Sequence, residues 1–161
     1  MRIGYGYDVH RFEAPDGERP LVLGGVRIEH ERGLAGHSDA DVLLHAVADA
    51  LLGAAALGDL GALFPESNDQ WAGADSRELL RVVRERVAAE GYAVENVDAT
   101  VVLEAPKLRS HVEAMRRNVA EALAVDPSRA SVKATTPEGM GFAGREEGAA
   151  AHAVCLLAEA A

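Results

Sequence analysis

The stretch from residue 42 to residue 54 constrains the fold most, because its apolar side chains recur at the spacing of an amphipathic helix. The apolar positions are Val42, Leu43, Ala46, Val47, Ala50, Leu51 and Ala54. Ser38 followed three residues later by Asp41 resembles a capping box at the start of this helix. Gly58 is expected to end it.

A polar stripe runs along the same helix, because Asp41, His45 and Asp49 follow one another at intervals of four residues. A solvated helix face would account for such a stripe. A histidine with a carboxylate one turn away is also typical of a metal ligand whose ring is oriented by its neighbour. We favour the metal interpretation for His45, with Asp49 holding its ring, and assign no ligand role to Asp41.

The first strand-like segment, residues 2–12, contains Asp8 and His10. Side chains alternate along a strand, so these two point to the same face. With His45 they would form three ligands and one open position, the arrangement of a catalytic zinc site. Taken alone, the pair is more often a strand-end carboxylate beside a surface histidine.

The rest of the chain alternates between strand-like and helix-like segments. Strands are predicted at 21–23, 26–28, 94–103 and 131–135, and helices over 76–90 and 108–124. Loops are predicted at 59–74, where the sequence permits a short helical turn, and at 137–145. The tail, 147–160, is ambiguous: its alanine content favours a helix, and its short apolar run permits a strand. No linker or repeat divides residues 1–161, so one mixed α/β domain with two or three helices over one sheet is expected.

Composition excludes several classes of function. The chain has a formal charge of −10 and lacks a basic run, so nucleic-acid binding is not expected. It also lacks an apolar signal region or a membrane-length apolar run, which predicts a cytoplasmic protein that does not bind membranes. The single cysteine, Cys155, excludes an intrachain disulfide and is expected to be a buried thiol.

Two further segments carry groups suited to phosphate and sugar. The segment Lys133-Ala134-Thr135-Thr136, followed by Glu138 and a glycine-rich stretch to Arg145, offers hydroxyls, backbone N–H groups and an ammonium for a diphosphate. Glu138 adds an oxygen ligand suited to Mg²⁺. Asp59 precedes Gly61 in a loop where its carboxylate could accept hydrogen bonds from sugar hydroxyls. An ordinary turn and an irregular surface loop are the alternatives, and the Walker pattern is absent.

Taken together, these residues resemble the 2-C-methyl-D-erythritol 2,4-cyclodiphosphate synthase family. The matching segments, collinear over the whole chain, are Asp8-Val9-His10, His37-Ser38-Asp39-x-Asp41, His45, Ala54-Ala55-x-Leu57-Gly58-Asp59, Phe64-Pro65, Gly73-Ala74-Asp75-Ser76, Ala105-Pro106-Lys107, Lys133-Ala134-Thr135-Thr136 and Gly141-Phe142-x-Gly144-Arg145. The chain departs from the family pattern at Glu66-Ser67-Asn68, where Asp-Thr-Asp is usual, and at Pro137 and Ala143, where threonine is usual.

The resemblance implies a homotrimer of ferredoxin-like α/β protomers, each with a mixed sheet and helices on one face. It makes the tail a strand and places active sites between subunits. The implied reaction converts 4-diphosphocytidyl-2-C-methyl-D-erythritol 2-phosphate to the 2,4-cyclodiphosphate and releases CMP.

The resemblance also implies a role for each matched residue. Zn²⁺ would bind Asp8, His10 and His45, and Mg²⁺ or Mn²⁺ would bind Glu138. His37 and Thr136 would be the catalytic pair that stabilises the transition state. The implied substrate-binding residues are Ser38, Asp59, Gly61, Leu103, Ala105, Pro106, Lys107, Ala134, Thr135, Phe142 and Arg145. Arg145, paired with Glu147, would also face an axial cavity that binds an isoprenoid diphosphate.

Two other functions use the same residues. A non-catalytic trimeric protein that binds a metal or an isoprenoid diphosphate would need no turnover, and CMP release separates it from the enzyme. A zinc hydrolase would share the metal ligands, but no separate general base stands beside them in the sequence.

Overall fold

The computed structural model describes residues 1–160, which form a four-stranded mixed sheet, a small hairpin and a layer of helices. The strands are β1 (Arg2–Arg11), β2 (Leu21–Leu23), β3 (Val26–Ile28), β4 (Tyr92–Val102), β5 (Ala130–Thr135) and β6 (Gly148–Glu159). The helices are α1 (Val42–Ala55), α2 (Leu60–Leu63), α3 (Ser76–Ala89), α4 (Val112–Leu123) and α5 (Gly141–Gly144). Among residues 1–160, no helix combines the length and apolar character that a membrane crossing requires.

The main sheet has the order β1-β6-β4-β5, with β4 and β5 parallel and the other neighbours antiparallel. Helices α1, α3 and α4 contact one another in sequence and cover one face of this sheet. The predicted mixed α/β fold with helices on one face is therefore confirmed. Burial in the core raises the pKa of the Cys155 thiol to about 11, which keeps it protonated at neutral pH.

The other face of the sheet carries apolar side chains that remain exposed. Ile3, Tyr5, Tyr7 and Val9 project from β1, and Val154 projects from β6. Ile3 is 75% exposed and Tyr5 is 62% exposed. A contiguous apolar strand face of this kind is typical of a surface that another protein covers.

Helix α1 lies unusually close to β1, because Gly4 and Gly6 face it without side chains. A Cβ atom on Gly6 would lie 1.9 Å from the carbonyl oxygen of Ala46. The side chains of Asp8 and His10 leave β1 on this same face. The glycines therefore allow His45 of α1 to approach the two residues with which the sequence groups it.

Replacement of Gly6 by alanine is expected to force α1 away from β1. Overpacking against backbone of this kind lowers the free energy of unfolding by about 1–3 kcal/mol. The matched control is Gly53→Ala in α1, where the added Cβ would lie 4.0 Å from its nearest neighbour and the alanine favours the helix. Urea denaturation of both variants measures the difference, and equal stabilities would contradict the close-approach explanation.

Several boundaries differ from the sequence prediction. Asp41, not Ser38, caps α1, because its carboxylate accepts a hydrogen bond from the N–H of Leu44 at 3.1 Å. The helix ends at Ala55 through a left-handed turn at Ala56, before the predicted stop at Gly58. Helix α4 starts at residue 112 rather than 108, and the predicted loop at 137–145 contains α5. The helical turn permitted within 59–74 is α2.

The ambiguous tail is strand β6, as the family resemblance implied. It lies between β1 and β4 and pairs with both along most of its length. Two sets of ladder hydrogen bonds in the middle of the sheet override the local helix propensity of its alanines.

Candidate active site

The candidate metal centre is formed by Asp8 and His10 from β1 and His45 from α1. Oδ2 of Asp8 lies 2.9 Å from Nε2 of His10 and 3.1 Å from Nδ1 of His45, and the two ring nitrogens are 3.2 Å apart. A tetrahedral zinc ion with ligands at about 2.0–2.1 Å needs donor atoms roughly 3.3 Å apart. The three donors therefore converge at nearly the separation that one small cation requires.

The ring of His10 is oriented by a backbone carbonyl. Its Nδ1 lies 2.7 Å from the carbonyl oxygen of Ala35, which can only accept a hydrogen bond. Nδ1 therefore carries the proton, and Nε2 of the neutral ring presents its lone pair to Asp8 and His45. Lone pairs directed at one another are satisfied by a shared cation, so the donor chemistry fits a metal ion.

The ring of His45 is oriented from the opposite side by two serines. Its Nε2 lies 3.1 Å from Oγ of Ser38 and 2.9 Å from Oγ of Ser76. Asp49 does not hold this ring, contrary to the prediction, because its Oδ1 accepts a hydrogen bond from the N–H of Leu60 at 2.7 Å. The i, i+4 spacing identified the helix face correctly but could not show which neighbour reaches the imidazole.

The electrostatics of the centre follow from these contacts. Burial opposes the ionisation of Asp8, but its contacts with the imidazoles of His10 and His45, which can take up a proton where the cation would lie, hold the pKa of its carboxyl well below the usual range. Burial also disfavours the charged form of His10, yet the hydrogen bond to Asp8 raises the pKa of its imidazole above the ordinary value. A site that stabilises a proton among its three ligands provides the negative potential that a cation requires.

Asp41 lies behind the centre and is fully buried. Its carboxylate accepts hydrogen bonds from the N–H groups of Gly24 at 2.9 Å, Gly25 at 2.7 Å and Leu44 at 3.1 Å. Burial and the nearby Asp39 raise the pKa of Asp41 to about 6, against the effect of these three donors. Asp41 therefore ties the β2–β3 turn to α1.

The metal centre opens into a cleft of about 230 Å³. Predicted site residues His37, Ser38 and Gly61 line this cleft beside the three ligands. The ring of His37 lies in reach of the Asn68 carbonyl oxygen, 3.2 Å from its Nε2. Asp59 does not line the cleft; its Oδ1 accepts a hydrogen bond from Ala62 and caps α2.

A second cleft, of about 520 Å³, lies between β5 and the segment that leads into α4. Of the predicted site residues, it is lined by Leu103, Pro106, Lys107, Ala134, Thr135 and Thr136. Lys133 also lines it, but its ammonium is paired with the carboxylate of Asp98. Hydroxyls and a second lysine, Lys107, at the edge of an apolar floor suit a ligand with an apolar ring and a phosphate.

The remaining predicted residues lie outside the linings of both clefts. Oε1 of Glu138 accepts a hydrogen bond from the Thr136 hydroxyl at 2.5 Å, and Arg145 forms an exposed ion pair with Glu147 at 2.8 Å. Ala105, next to Pro106, and Phe142, three residues before Arg145, are both half-buried. Within one chain, the catalytic candidates His37 and Thr136 therefore line different clefts and are not brought together.

Sequence reasoning missed four residues that contribute to the metal cleft. Trp71 and Glu66 line it, with the Trp71 ring edge-on to Phe64 at 4.8 Å. Ser76 contacts the ring of His45, and Asp39 reaches that ring through Ser76; the sequence prediction gave neither residue a role in the site. The signal for Ser76 was its position immediately after the Asp75 cap of α3, at a helix start directed towards the site.

Comparisons with known proteins agree with this geometry. The profile of the YgbB family matches residues 1–158. A 2-C-methyl-D-erythritol 2,4-cyclodiphosphate synthase from Salinibacter ruber is 66% identical over 160 residues, which cover 99% of this chain and 100% of the relative.

Solved structures with a similar fold belong to proteins of the same kind. The bifunctional IspDF from Campylobacter jejuni superposes with a TM-score of 0.92 at 43% identity, covering 98% of this chain but 42% of the bifunctional one. A Plasmodium falciparum IspF in complex with CDP superposes with a TM-score of 0.85 at 34% identity, covering 99% of this chain and 97% of that one. Agreement over the full length of both sequence and structure shows that the chain belongs to the YgbB family, that of the 2-C-methyl-D-erythritol 2,4-cyclodiphosphate synthases.

Proposed function

We propose that this protein converts 4-diphosphocytidyl-2-C-methyl-D-erythritol 2-phosphate to 2-C-methyl-D-erythritol 2,4-cyclodiphosphate, with release of CMP, in non-mevalonate isoprenoid biosynthesis. The observation that carries the proposal is the convergence of Asp8, His10 and His45 in a chain that is 66% identical to a synthase of this name. The reaction would make the enzyme a cyclising phosphorus–oxygen lyase, and we place it in the cytoplasm.

The reaction needs no nucleophile from the protein. An oxygen of the substrate's 2-phosphate attacks the β-phosphorus and forms a new P–O bond. The bond from the β-phosphorus to the bridging oxygen breaks, and its electron pair leaves with CMP. The protein must hold a flexible polyanion with two phosphates in contact, which is a problem of orientation and charge.

The chain's own residues divide this work. Asp8, His10 and His45 would hold Zn²⁺, and Glu138 would hold Mg²⁺ or Mn²⁺. When bound, these ions supply positive charge to phosphate oxygens. His37 beside the metal cleft and Thr136 beside the second cleft would donate hydrogen bonds to the charge that develops on the phosphates. Asp59 and Gly61 would hold the methylerythritol.

The second cleft would take the cytidine end of the substrate. The proposal is supported by its lining from Pro106, Lys107 and residues 134–136, which match the family segments, and by the similarity of the fold to the Plasmodium falciparum IspF in complex with CDP. The apolar floor provides a surface for the base, and Lys107, Thr135 and Thr136 provide donors for its phosphates.

A homotrimer would bring the two clefts together. Each cleft holds part of the catalytic set, so a site shared by neighbouring subunits would unite His37 of one chain with Thr136 of the next. The exposed apolar strand face of Ile3, Tyr5, Tyr7 and Val9 supports the same assembly, because packing of three such faces around an axis would remove it from water.

The axial cavity of such a trimer would accept an isoprenoid diphosphate, with Arg145 near its mouth. The ion pair to Glu147 leaves the Arg145 side chain 61% exposed and available to a diphosphate. Arg145→Ala is expected to weaken binding of geranyl diphosphate at least tenfold in calorimetric titration. Equal binding by both proteins would leave only the local ion pair.

Replacement of Glu138 by glutamine is expected to raise the Mg²⁺ concentration for half-maximal turnover by roughly tenfold, because a neutral amide is a weaker ligand for a hard cation. Zinc content should stay at the wild-type level, since Glu138 lies outside the three-ligand centre. Mg²⁺ titrations of the CMP-forming rate, with metal analysis of both proteins, measure the two effects. An unchanged Mg²⁺ titration would refute the assignment.

Product analysis tests the function itself. Incubation with the cytidine substrate and Mg²⁺ should yield CMP and the cyclic diphosphate in equal amounts by mass spectrometry. Binding of substrate without CMP release would favour the non-catalytic binding protein. A linear hydrolysis product would indicate a zinc hydrolase instead.

A further inference from the structure

We infer that Asp39 and Ser76 are positioning residues that select the metal-binding tautomer of His45. The inference rests on the proposed metal site and concerns how the protein prepares its least exposed ligand. It follows from a directed series of hydrogen bonds that links Asp39, through Ser76 at the start of α3, to the imidazole of His45.

The series of hydrogen bonds begins at the carboxylate of Asp39, which can only accept hydrogen bonds. Its Oδ1 accepts from the hydroxyl of Ser76 and from the N–H of Asp41, and its Oδ2 accepts from the N–H of Ser76 at 3.0 Å. The Ser76 side chain is 1% exposed, so water does not compete for its hydrogen. The single hydroxyl proton of Ser76 is therefore committed to Asp39.

A serine whose proton is committed has only lone pairs left for its other neighbour. Oγ of Ser76 lies 2.9 Å from Nε2 of His45, so that nitrogen must carry the proton of this hydrogen bond. A neutral imidazole has one N–H, and Nδ1 is then bare. Nδ1 is the atom that lies 3.1 Å from Oδ2 of Asp8 and faces the metal position.

The opposite tautomer has its own support in the site. With the proton on Nδ1, His45 would donate to Asp8, and Ser38 would donate its hydroxyl hydrogen to Nε2 across 3.1 Å. That state blocks the ligand atom and would have to be reversed before a metal binds. Ser76 disfavours this tautomer. Its hydroxyl hydrogen is donated to Asp39, so its oxygen would face an unprotonated Nε2 with lone pairs alone.

Ser76 is free for this task because it does not cap α3. The cap is Asp75, whose carboxylate accepts a hydrogen bond from the N–H of Arg77 at 2.8 Å. Replacement of Ser76 by alanine therefore leaves the helix cap in place and removes the hydroxyl that faces His45.

The first experiment reads the tautomer directly in the metal-free protein. Nitrogen-15 NMR of labelled histidine, at a pH where His45 is neutral, should show a protonated Nε2 and a bare Nδ1 in the wild type. In Ser76→Ala the share of the Nδ1-protonated form should rise, whereas Ser38→Ala should keep the wild-type tautomer. A wild-type His45 protonated on Nδ1, or a shift in Ser38→Ala alone, overturns the inference.

The second experiment reads metal affinity by competition with a zinc chelator. Loss of an outer-shell partner typically costs 10–100-fold in affinity, and this is the decrease expected for Ser76→Ala. The control Ser128→Ala, in the exposed turn before β5, should match the wild type. An affinity of Ser76→Ala within twofold of the wild type contradicts the inference, and Ser76→Thr, which restores the hydroxyl, should recover it. Both measurements are independent of turnover. A failure of the proposed reaction can therefore be distinguished from a failure of the inferred role of Ser76 and Asp39.

Discussion

Replacement of His45 by alanine is expected to remove the metal ion and the activity together. Two ligands, Asp8 and His10, would remain, and a catalytic zinc site needs three from the protein. Metal content should fall from about one ion per chain to less than about a tenth, and CMP formation should fall by roughly a thousandfold or more. Elemental analysis and a coupled CMP assay measure the two losses.

The control is His111→Ala, since His111 precedes α4 and its side chain makes no capping hydrogen bond there. It should keep both metal and activity. His45 lies beside the cleft rather than on the exposed sheet face, so the His45 variant should elute from a sizing column as the wild type does. Stoichiometric metal in the His45 variant would refute the three-ligand assignment.

Replacement of Asp41 by alanine is expected to cause a large loss of stability. Three backbone N–H groups, from Gly24, Gly25 and Leu44, would lose their acceptor in a site with no solvent exposure. Each unsatisfied buried donor costs about 1–3 kcal/mol, so the three together are expected to lower the free energy of unfolding by at least roughly 3 kcal/mol, as measured by urea denaturation. Asp41→Asn keeps one acceptor oxygen and should fall between the two proteins.

An exposed cap provides the comparison. Asp126 caps the short turn before β5 and accepts a hydrogen bond from Ser128 at 2.8 Å, but water can replace it there. Asp126→Ala should therefore cost about 1 kcal/mol or less. If Asp41→Ala were no more destabilising than Asp126→Ala, the buried three-donor arrangement would not be what joins the β2–β3 turn to α1.

The candidate metal ligands can be predicted from the sequence because their spacing follows the periodicity of a strand and of a helix. Alternation along β1 places Asp8 and His10 on one face, and helical spacing places His45 on α1. The segment around Lys133 is likewise predicted to be a strand and is β5. Such patterns depend only on the geometry of the local backbone, which the residues themselves dictate.

Long-range contacts account for the predictions that failed. The spacing predicts that Asp49 orients the ring of His45. In the structure, the carboxylate of Asp49 accepts a hydrogen bond from the N–H of Leu60, and Ser76 of α3 contacts the ring instead. The capping pattern predicts that Ser38 begins α1, yet its hydroxyl lies against the same ring and Asp41 is the cap. In each case several partners were chemically acceptable, and contacts with residues outside α1 decided between them.

The sequence by itself determined the candidate metal ligands, the order of strands and helices, and the family to which the chain belongs. Only the tertiary structure decided that the tail strand pairs between β1 and β4, that Ser76 orients His45, and that His37 and Thr136 line different clefts of one chain. The reason is physical: periodicity and turn chemistry act over a few residues, whereas strand pairing and buried hydrogen bonds join residues that lie far apart in the chain and form only once the layers pack.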